Sequence, residues 1–269
     1  MKLEGKVAFV TGGARGMGRE HCLALAGEGA DIVACDIGED IPAIEYRLGK
    51  NEELEETVTQ VKALGRRAIA VTADISKSDQ VKNSVDRAIE EFGTIDILVN
   101  NAGVALIGTE FHEVTEEQWD MVLDVNLKGP WLCCKYIIPH MLKQKSGKII
   151  NISSHAGLIG IATIGPYTCA KHGVLGMTKV LAAELAPHGI NVNALCPGAV
   201  DTPMLSQAFE KIGMTFEEAE KEWGGASVVP GELIPPEDMA KMVLFLASED
   251  SRFLHGRSMH VGSSTGLIP

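Results

Sequence analysis

Short apolar runs rich in β-branched residues alternate with longer segments of helical periodicity along the chain. The short runs predict strands at Lys6–Thr11, Asp31–Asp36, Arg67–Ala73, Asp96–Asn100, Gly147–Ser153, Ile190–Cys196 and Ser258–Val261. The longer segments predict helices near residues 17–28, 51–64, 78–92, 115–145, 166–186 and 236–248. Because the spacings leave room for crossovers between parallel strands, the pattern predicts a parallel sheet covered by helices.

This alternation is typical of an α/β fold: a doubly wound, mostly parallel, seven-stranded Rossmann-type sheet with helices on both faces. The sequence contains no internal repeat, low-complexity tract or linker, so we expect residues 1–269 to form a single domain. Two segments break the rhythm. Residues 37–50 lengthen the connection after the second strand, and residues 201–235 form a long excursion. Loops of this length are often functional, and the apolar candidates for substrate contact here are Met204, Leu205 and Trp223.

Composition narrows the function classes. Of 269 residues, 45% are hydrophobic and 22% charged, and 24 basic against 36 acidic side chains give a net charge of −12. This sign argues against a nucleic-acid or anionic-membrane surface, which needs clustered Lys and Arg. There is no apolar run of the roughly 18 residues that span a bilayer, and no C-x-x-C pair among six cysteines. The first six residues lack the apolar segment that a signal peptide needs. We expect a cytoplasmic protein with reduced thiols and without a metal, membrane or nucleic-acid partner.

A glycine-rich string, T-G-G-A-R-G-M-G at residues 11–18, lies between the first strand and the first helix. Alone, such a string is compatible with an ordinary structural turn. In this position, glycines permit close backbone approach, and the helix N-terminus offers N–H donors to a pyrophosphate. The sequence therefore predicts a dinucleotide site with the candidates Gly12, Arg15, Gly16, Met17 and Gly18.

Asp36 ends the second strand and bears on the choice of dinucleotide. A carboxylate there accepts hydrogen bonds from the adenosine ribose hydroxyls, which favours NAD. Arg15 favours the opposite choice, because an arginine near this site meets the 2′-phosphate of NADP. We give Asp36 the greater weight because juxtaposed like charges are costly. An NADP-dependent carbonyl reductase, and Asp36 as a cap of the following loop, stay open as alternatives.

Two further strand ends carry polar residues at the edge where ligands bind in open α/β sheets. Asp74 and Ile75 follow the third strand, where Asp74 is predicted to hold the adenine amino group. A helix cap is an equally natural role for it. Asn101, Ala102 and Gly103 follow the fourth strand and suit either a close approach to a ligand or the fixing of the sheet end.

Ser154 stands twelve intervening residues before Y-T-C-A-K, which contains Tyr167 and Lys171. Together with the glycine-rich string, N-N-A-G, Asn126 and Pro197-Gly198 in the same order, this set resembles the signature of the short-chain dehydrogenase/reductase family. The resemblance covers nearly the whole chain. It implies a catalytic set of Asn126, Ser154, Tyr167 and Lys171.

The spacing of Tyr167 and Lys171 supports proton-transfer chemistry, because residues four apart share one helix face. Free tyrosine has a pKa of about 10, too high for a base near neutral pH. A nearby ammonium, together with the positive nicotinamide ring of NAD⁺, stabilises the phenolate and lowers that pKa. We expect Tyr167 to take the proton of an alcohol while hydride leaves its carbon, and Ser154 to orient the substrate oxygen.

The resemblance implies roles for further residues. It places Lys171 and Tyr167 against the nicotinamide ribose and Asn126 on a water of a proton relay, although a mid-helix Asn is more often structural. The loop that it places against the carboxamide supplies Pro197, Gly198, Val200 and Thr202. Because the family usually forms tetramers through the helices near 115–145 and 166–186, we expect a homotetramer.

The apolar residues of 201–235 predict a hydrophobic secondary alcohol or ketone as substrate, with core packing as the competing explanation for any one of them. His155 either lines the substrate cleft or is an ordinary packed histidine, and no G-x-S-x-G elbow supports a Ser-His hydrolase. The 37–50 insertion is similar to that of carveol dehydrogenase-like members, including the mycofactocin-associated dehydrogenases. This similarity implies that the insertion covers a poorly exchanging NAD(H), which passes electrons to an external redox cofactor.

A non-catalytic dinucleotide-binding protein is the alternative from another class, because a fold does not determine a function. Loss of Ser154, Tyr167 or Lys171 would favour it. All three residues are present.

Overall fold

The strands form one parallel sheet, in the spatial order Ala68–Thr72, Asp31–Asp36, Val7–Thr11, Ile97–Asn100, Gly147–Ile152, Ile190–Pro197 and Ser258–Val261. The computed structural model describes residues 1–211, 213–215, 217–218, 221, 229 and 232–262. The strands are β1 (Val7–Thr11), β2 (Asp31–Asp36), β3 (Ala68–Thr72), β4 (Ile97–Asn100), β5 (Gly147–Ile152), β6 (Ile190–Pro197) and β7 (Ser258–Val261). Each predicted strand is present, with bounds that agree within one residue, and the predicted parallel sheet is confirmed.

The helices lie between these strands as predicted, with one division and one addition. They are α1 (Gly16–Gly27), α2 (Asn51–Ala63), α3 (Ser78–Phe92), α4 (Glu116–Leu123), α5 (Gly129–Gln144), α6 (Gly165–Leu185), α7 (Pro203–Lys211) and α8 (Pro236–Ala247). The addition is α7, which lies inside the excursion 201–235, where no helix was predicted. The hydroxyl of Thr202 accepts a hydrogen bond from the Leu205 amide (3.4 Å) where α7 begins.

The single helix predicted near 115–145 is wrong in detail, because a π-helical turn at Asp124–Lys128 separates α4 from α5. Asn126 Nδ2 donates to the carbonyl of Val122 (2.8 Å), the group that an α-helix would offer to the Asn126 amide. Pro130 has no N–H to donate to the carbonyl of Asn126 four residues earlier. The side chain and the proline together favour the wider turn.

Alternate side chains of β1 enter two separate cores. Ala8 and Val10 pack on the side of α1, α2 and α8, whereas Val7 and Phe9 pack on the side of α3, α5 and α6. This alternation follows from the two-residue period of a strand. Helices therefore cover both faces of the sheet, as predicted.

The parallel arrangement brings the carboxyl ends of all strands to one edge of the sheet. The glycine-rich loop, Asp36, Asn101 and Ser154 follow or end four of these strands and so share that edge. All six cysteines are free, and only Cys169 among them is exposed. In the described part of the chain, no helix has the length and apolar character needed to cross a membrane.

Candidate active site

The glycine-rich loop between β1 and α1 leaves its backbone open to a ligand. Gly12 and Gly16 adopt φ values of +69° and +54°, which favour glycine. A Cβ on Gly18 would clash with the carbonyl of Gly12, so this turn packs too tightly for a side chain. The loop runs directly into the N-terminus of α1, an arrangement that fits a pyrophosphate.

A cleft at this edge of the sheet gathers most of the predicted cofactor residues. Those that line it are Gly12, Arg15, Gly16, Met17, Gly18, Asp36, Asp74, Ile75, Asn101, Ala102, Gly103 and Thr202. Residues of the 37–50 insertion also line it, and sequence reasoning did not name them: Ile37, Ile41, Tyr46, Leu48 and Gly49. The length of the insertion indicates that the region is functional, but nothing in the sequence distinguishes Tyr46 within it.

Asp36 is held in place by backbone amides. Its two carboxylate oxygens accept hydrogen bonds from the amides of Ala14 (2.9 Å) and Ile37 (2.8 Å). Burial raises the pKa of Asp36, and these two amides oppose that rise. The guanidinium of Arg15 donates to the carbonyl of Arg47 in the insertion. One nitrogen of Arg15 thus bonds to the insertion, while Arg15 and Asp36 both line the cleft.

Asp74 and Asn101 line the cleft but also bond to the chain itself. Asp74 Oδ1 accepts from the amide of Ser76 (2.9 Å) in a turn before α3. The N-cap of α3 is Lys77, so Asp74 does not have the helix-capping role that was its alternative. Asn101 Nδ2 donates to the carbonyl of Thr11 (2.9 Å) and so ties the end of β4 to the end of β1. Both residues have a structural role beside any contact with a ligand.

Ser154, Tyr167 and Lys171 come together where β5 ends and α6 begins. Ser154 lies close enough to Tyr167 to lower the pKa of the phenol. Lys171 Nζ lies 5.4 Å from the centroid of the Tyr167 ring and donates to the carbonyl of Ile152 (2.9 Å). The hydroxyl of Ser153 donates to the Lys171 carbonyl (2.9 Å), which fixes α6 against β5.

Burial dominates the electrostatics of this group. Burial raises the pKa of Tyr167, and the interaction with Ser154 acts in the opposite direction. Burial also lowers the pKa of Lys171 to about 8. In the protein surroundings alone, desolvation of the phenolate outweighs the stabilising contacts. The predicted lowering of the tyrosine pKa includes the positive nicotinamide ring and stays a prediction for the protein with NAD⁺ bound.

Asn126 is fully buried in the π-helical turn. Its side chain donates to the carbonyls of Val104 (2.7 Å) and Val122 (2.8 Å) and accepts from the Val104 amide (3.3 Å). These bonds fasten the irregular segment that follows β4. The geometry gives Asn126 the structural role that was weighed against the water relay.

A cavity of about 620 Å³ opens beside Tyr167. Its lining is mostly apolar and includes four isoleucines that sequence reasoning missed: Ile107, Ile159, Ile161 and Ile164. The predicted residues that line it are His155, Tyr167, Pro197, Gly198, Val200, Thr202, Met204 and Leu205. Trp223 lies outside the described residues. The imidazole rings of His155 and His260 stack with centroids 4.9 Å apart.

The cofactor cleft and the cavity are adjacent. Met17, Thr202 and Met204 line both of them. Ser154, Lys171 and Asn126 line neither among the described residues, but each contacts residues that do. A dinucleotide in the cleft and a small apolar molecule in the cavity would therefore meet near Tyr167.

The fold, the glycine-rich cleft and the Ser154–Tyr167–Lys171 group define a dinucleotide-dependent oxidoreductase of one family. Residues 6–213 match the family model described as short chain dehydrogenase, and the chain belongs to that family. It is 39% identical over 274 aligned residues to the (-)-trans-carveol dehydrogenase of Rhodococcus erythropolis, covering 99% of each chain.

Solved structures agree with this family assignment. The chain resembles the crystal structure of carveol dehydrogenase from Mycobacterium avium in complex with NAD (TM-score 0.93, 37% identity, 97% of each chain). It also resembles levodione reductase (TM-score 0.87, 28% identity, 97% of each chain). The predicted membership of the family and the predicted likeness to carveol dehydrogenases are confirmed.

Proposed function

We propose that this chain is an NAD(H)-dependent dehydrogenase that interconverts a hydrophobic secondary alcohol and its ketone. The observation that carries the proposal is the position of Tyr167 in an apolar cavity that adjoins the glycine-rich cleft. A cavity of about 620 Å³ lies within the range of roughly 300–1,000 Å³ that small-molecule sites occupy.

The proposed reaction uses the side chains in complementary ways. Tyr167 takes the proton of the substrate hydroxyl in oxidation and returns it to the developing alkoxide in reduction. Ser154, which lies close to Tyr167, orients the substrate oxygen, and Lys171 stabilises the phenolate and the ribose beside it. When bound, the nicotinamide ring accepts or supplies the hydride.

NAD is the proposed cofactor because Asp36 lines the cleft at the end of β2. Its carboxylate suits ribose hydroxyls and repels a 2′-phosphate. Arg15, the residue that favoured an NADP-dependent reductase, donates to the carbonyl of Arg47. The solved Mycobacterium avium relative, which is an NAD complex, points to the same cofactor.

The proposed substrates are alicyclic, because the cavity beside Tyr167 has a bulky apolar lining. The likeness to carveol dehydrogenases makes cyclic terpene alcohols the first class to examine. Charged sugars do not suit such a lining, since few of its residues offer polar partners.

We further propose that NAD stays bound between turnovers and passes its electrons to mycofactocin or a similar external redox cofactor. Support comes from the contacts of the insertion, which follows β2 in the chain and bonds to α7 across the cleft. The buried side chains of Ile44 and Leu48 pack against Val104 and Val125. The amide of Arg47 donates to Gln207 Oε1 of α7 (2.9 Å).

A homotetramer is proposed on the same family resemblance. Trp131 of α5 and Val180 of α6 are exposed in the single chain, and both lie on the helices through which related enzymes associate. Native mass spectrometry of the purified protein reads the subunit number and the bound dinucleotide together.

Activity on a substrate panel tests the main proposal. We expect turnover of alicyclic secondary alcohols such as carveol, with an artificial electron acceptor present, and none of charged sugars. Activity on charged sugars alone would reject the substrate class. Absence of co-purified NAD, together with rapid turnover on added NAD⁺, would reject the retained cofactor and leave the reaction class intact.

A further inference from the structure

Within the insertion, Tyr46 forms a hydrogen bond to the segment that follows β4. The hydroxyl of Tyr46 accepts a hydrogen bond from the amide of Ala105 (2.8 Å). Tyr46 lines the cofactor cleft, and its ring packs with the cluster formed by Ile44, Leu48 and Val104. The phenol is thus held by packing on its ring and by one hydrogen bond at its tip.

The segment that donates this hydrogen bond connects the two cavities. Gly103 and Val104 line the cofactor cleft, whereas Ala105 and Ile107 line the cavity beside Tyr167. Residues 101–107 form no helix or strand. Side chains therefore fix this segment in place of the backbone hydrogen bonds that a helix or strand would form.

The hydroxyl of Thr11 binds the first two amides of this segment, and two side chains from other elements hold its middle, Val104 and Ala105. Asn126 of the π-helical turn bonds to both backbone groups of Val104. Tyr46 of the insertion bonds to the next amide, that of Ala105, which is buried. A buried amide without an acceptor is unfavourable, so the insertion supplies an acceptor that the irregular segment needs.

Tyr46 also lies near the proton-transferring residue. Burial raises the pKa of Tyr46, and the neighbouring Tyr167 adds to that rise. The two phenols are therefore close enough to interact electrostatically, although they come from segments more than a hundred residues apart.

We propose that Tyr46 is a positioning residue: through its hydrogen bond to Ala105, the insertion that covers the cofactor cleft also fixes the wall of the substrate cavity. The inference rests on the proposed function for the identity of the two sites. It adds that the position of the insertion over the cofactor cleft and the shape of the substrate cavity both depend on one hydroxyl.

The test removes that hydroxyl in Tyr46→Phe, with Tyr136→Phe as the matched control. The hydroxyl of Tyr136 also forms one hydrogen bond, with Ser78 Oγ (2.7 Å), and it lines neither cavity. Hydrogen–deuterium exchange of residues 103–107 is measured in both variants and in the unmodified protein. Substrate KM and kcat are measured with saturating NAD.

We expect exchange over residues 103–107 to become about three- to tenfold faster in Tyr46→Phe, the range that one net hydrogen bond supplies, and to stay unchanged in Tyr136→Phe. Substrate KM should rise by a similar factor of about three to ten, with kcat changed less than about twofold, because bound substrate reorders the wall.

Unchanged exchange in Tyr46→Phe would overturn the proposal, as would an equal loss in kcat and kcat/KM without a rise in KM. A fall in thermal stability much larger than in Tyr136→Phe, with faster exchange throughout the chain, would show a general structural role and would also overturn it. If the unmodified protein turns over no alcohol or ketone, the proposed function fails, while the exchange result still decides whether Tyr46 fixes the segment.

Discussion

Lys171 Nζ donates a 2.9 Å hydrogen bond to the carbonyl of Ile152, the last residue of β5. Ser154 follows two residues later, so the bond ties the lysine of α6 to the strand that presents the serine. Only 3% of Lys171 is exposed, and burial lowers its pKa to about 8. An ammonium placed there for chemistry has an unfavourable effect on folding at neutral pH.

Lys171→Met should therefore stabilise the fold while abolishing activity. A shift from 10.5 to about 8 corresponds to about 3 kcal/mol, since each pKa unit is worth about 1.4 kcal/mol. Below pH 8 both the folded and unfolded lysines are charged, and the full penalty is present. Between pH 8 and 10.5 the unfolded chain binds more protons, so the unmodified protein regains stability as the pH rises.

Denaturant unfolding at pH 7.0 and pH 9.5 measures this effect. We expect Lys171→Met to gain about 1–3 kcal/mol at pH 7.0, reduced by the lost hydrogen bond, and less at pH 9.5. Lys82→Met serves as the control, because Lys82 is exposed and its pKa is raised by Asp86. A gain in Lys171→Met that does not shrink with pH would contradict the assignment.

Tyr167→Phe should lose activity without losing the fold. Proton transfer by a positioned side chain contributes about 10²- to 10⁴-fold, and we expect kcat to fall by about that factor. The affinity for NAD should change little, because the glycine-rich loop and Asp36 bind the other end of the dinucleotide in our proposal. Steady-state kinetics and a cofactor titration measure the two effects.

The matched variant is again Tyr136→Phe, which removes a hydroxyl from α5. Its kcat should equal that of the unmodified protein. Activity retained in Tyr167→Phe would remove Tyr167 from the proposed reaction.

The fold followed from the sequence because its signals are local. The apolar runs of β2 and β7 predict both strand ends without error, and helix α3 likewise agrees at both ends. The division between α4 and α5 was missed because the Asn126 side chain bonds to the Val122 carbonyl, which an α-helix would offer to the Asn126 amide. Periodicity reports which residues face a core, and it does not report a side chain that competes for a helical carbonyl.

The site was only partly visible in the sequence. Motif spacing predicts that Ser154, Tyr167 and Lys171 come together, since two lie on one helix face and the third ends a neighbouring strand. It did not predict the opposing effect of burial, which raises the pKa of Tyr167, because that depends on how deeply the phenol is buried. The sequence does not predict that Tyr46 belongs to the site either, since its role arises from a tertiary contact with Ala105.

Asp36→Asn and Asp36→Ala separate charge from hydrogen bonding at the adenosine end. Both remove the negative charge, so the preference for NAD over NADP should fall by about ten- to a hundredfold in each. The asparagine keeps an acceptor for the Ala14 or Ile37 amide, and alanine keeps none. Alanine should therefore also lower the free energy of unfolding by about 1–3 kcal/mol.

Dissociation constants for both dinucleotides, measured by titration calorimetry of the cofactor-free chain, provide the readout. An unchanged ratio of the two constants would show that Asp36 does not select NAD. If the preference for NAD over NADP falls in Asp36→Ala but not in Asp36→Asn, the preference depends on the structure of the loop and not on the charge.

The pH dependence of oxidation reports the contact between Ser154 and Tyr167. Oxidation requires the phenolate, so kcat/KM should rise with pH until Tyr167 is ionised, while reduction requires the protonated phenol and should fall over the same range. Since the interaction with Ser154 lowers the pKa of Tyr167, Ser154→Ala should move the oxidation limb to higher pH. Measurement of kcat/KM from pH 6 to 10 shows in which direction the profile shifts. A shift to lower pH would mean that Ser154 stabilises the protonated phenol. Oxidation would then begin from a different hydrogen-bond arrangement.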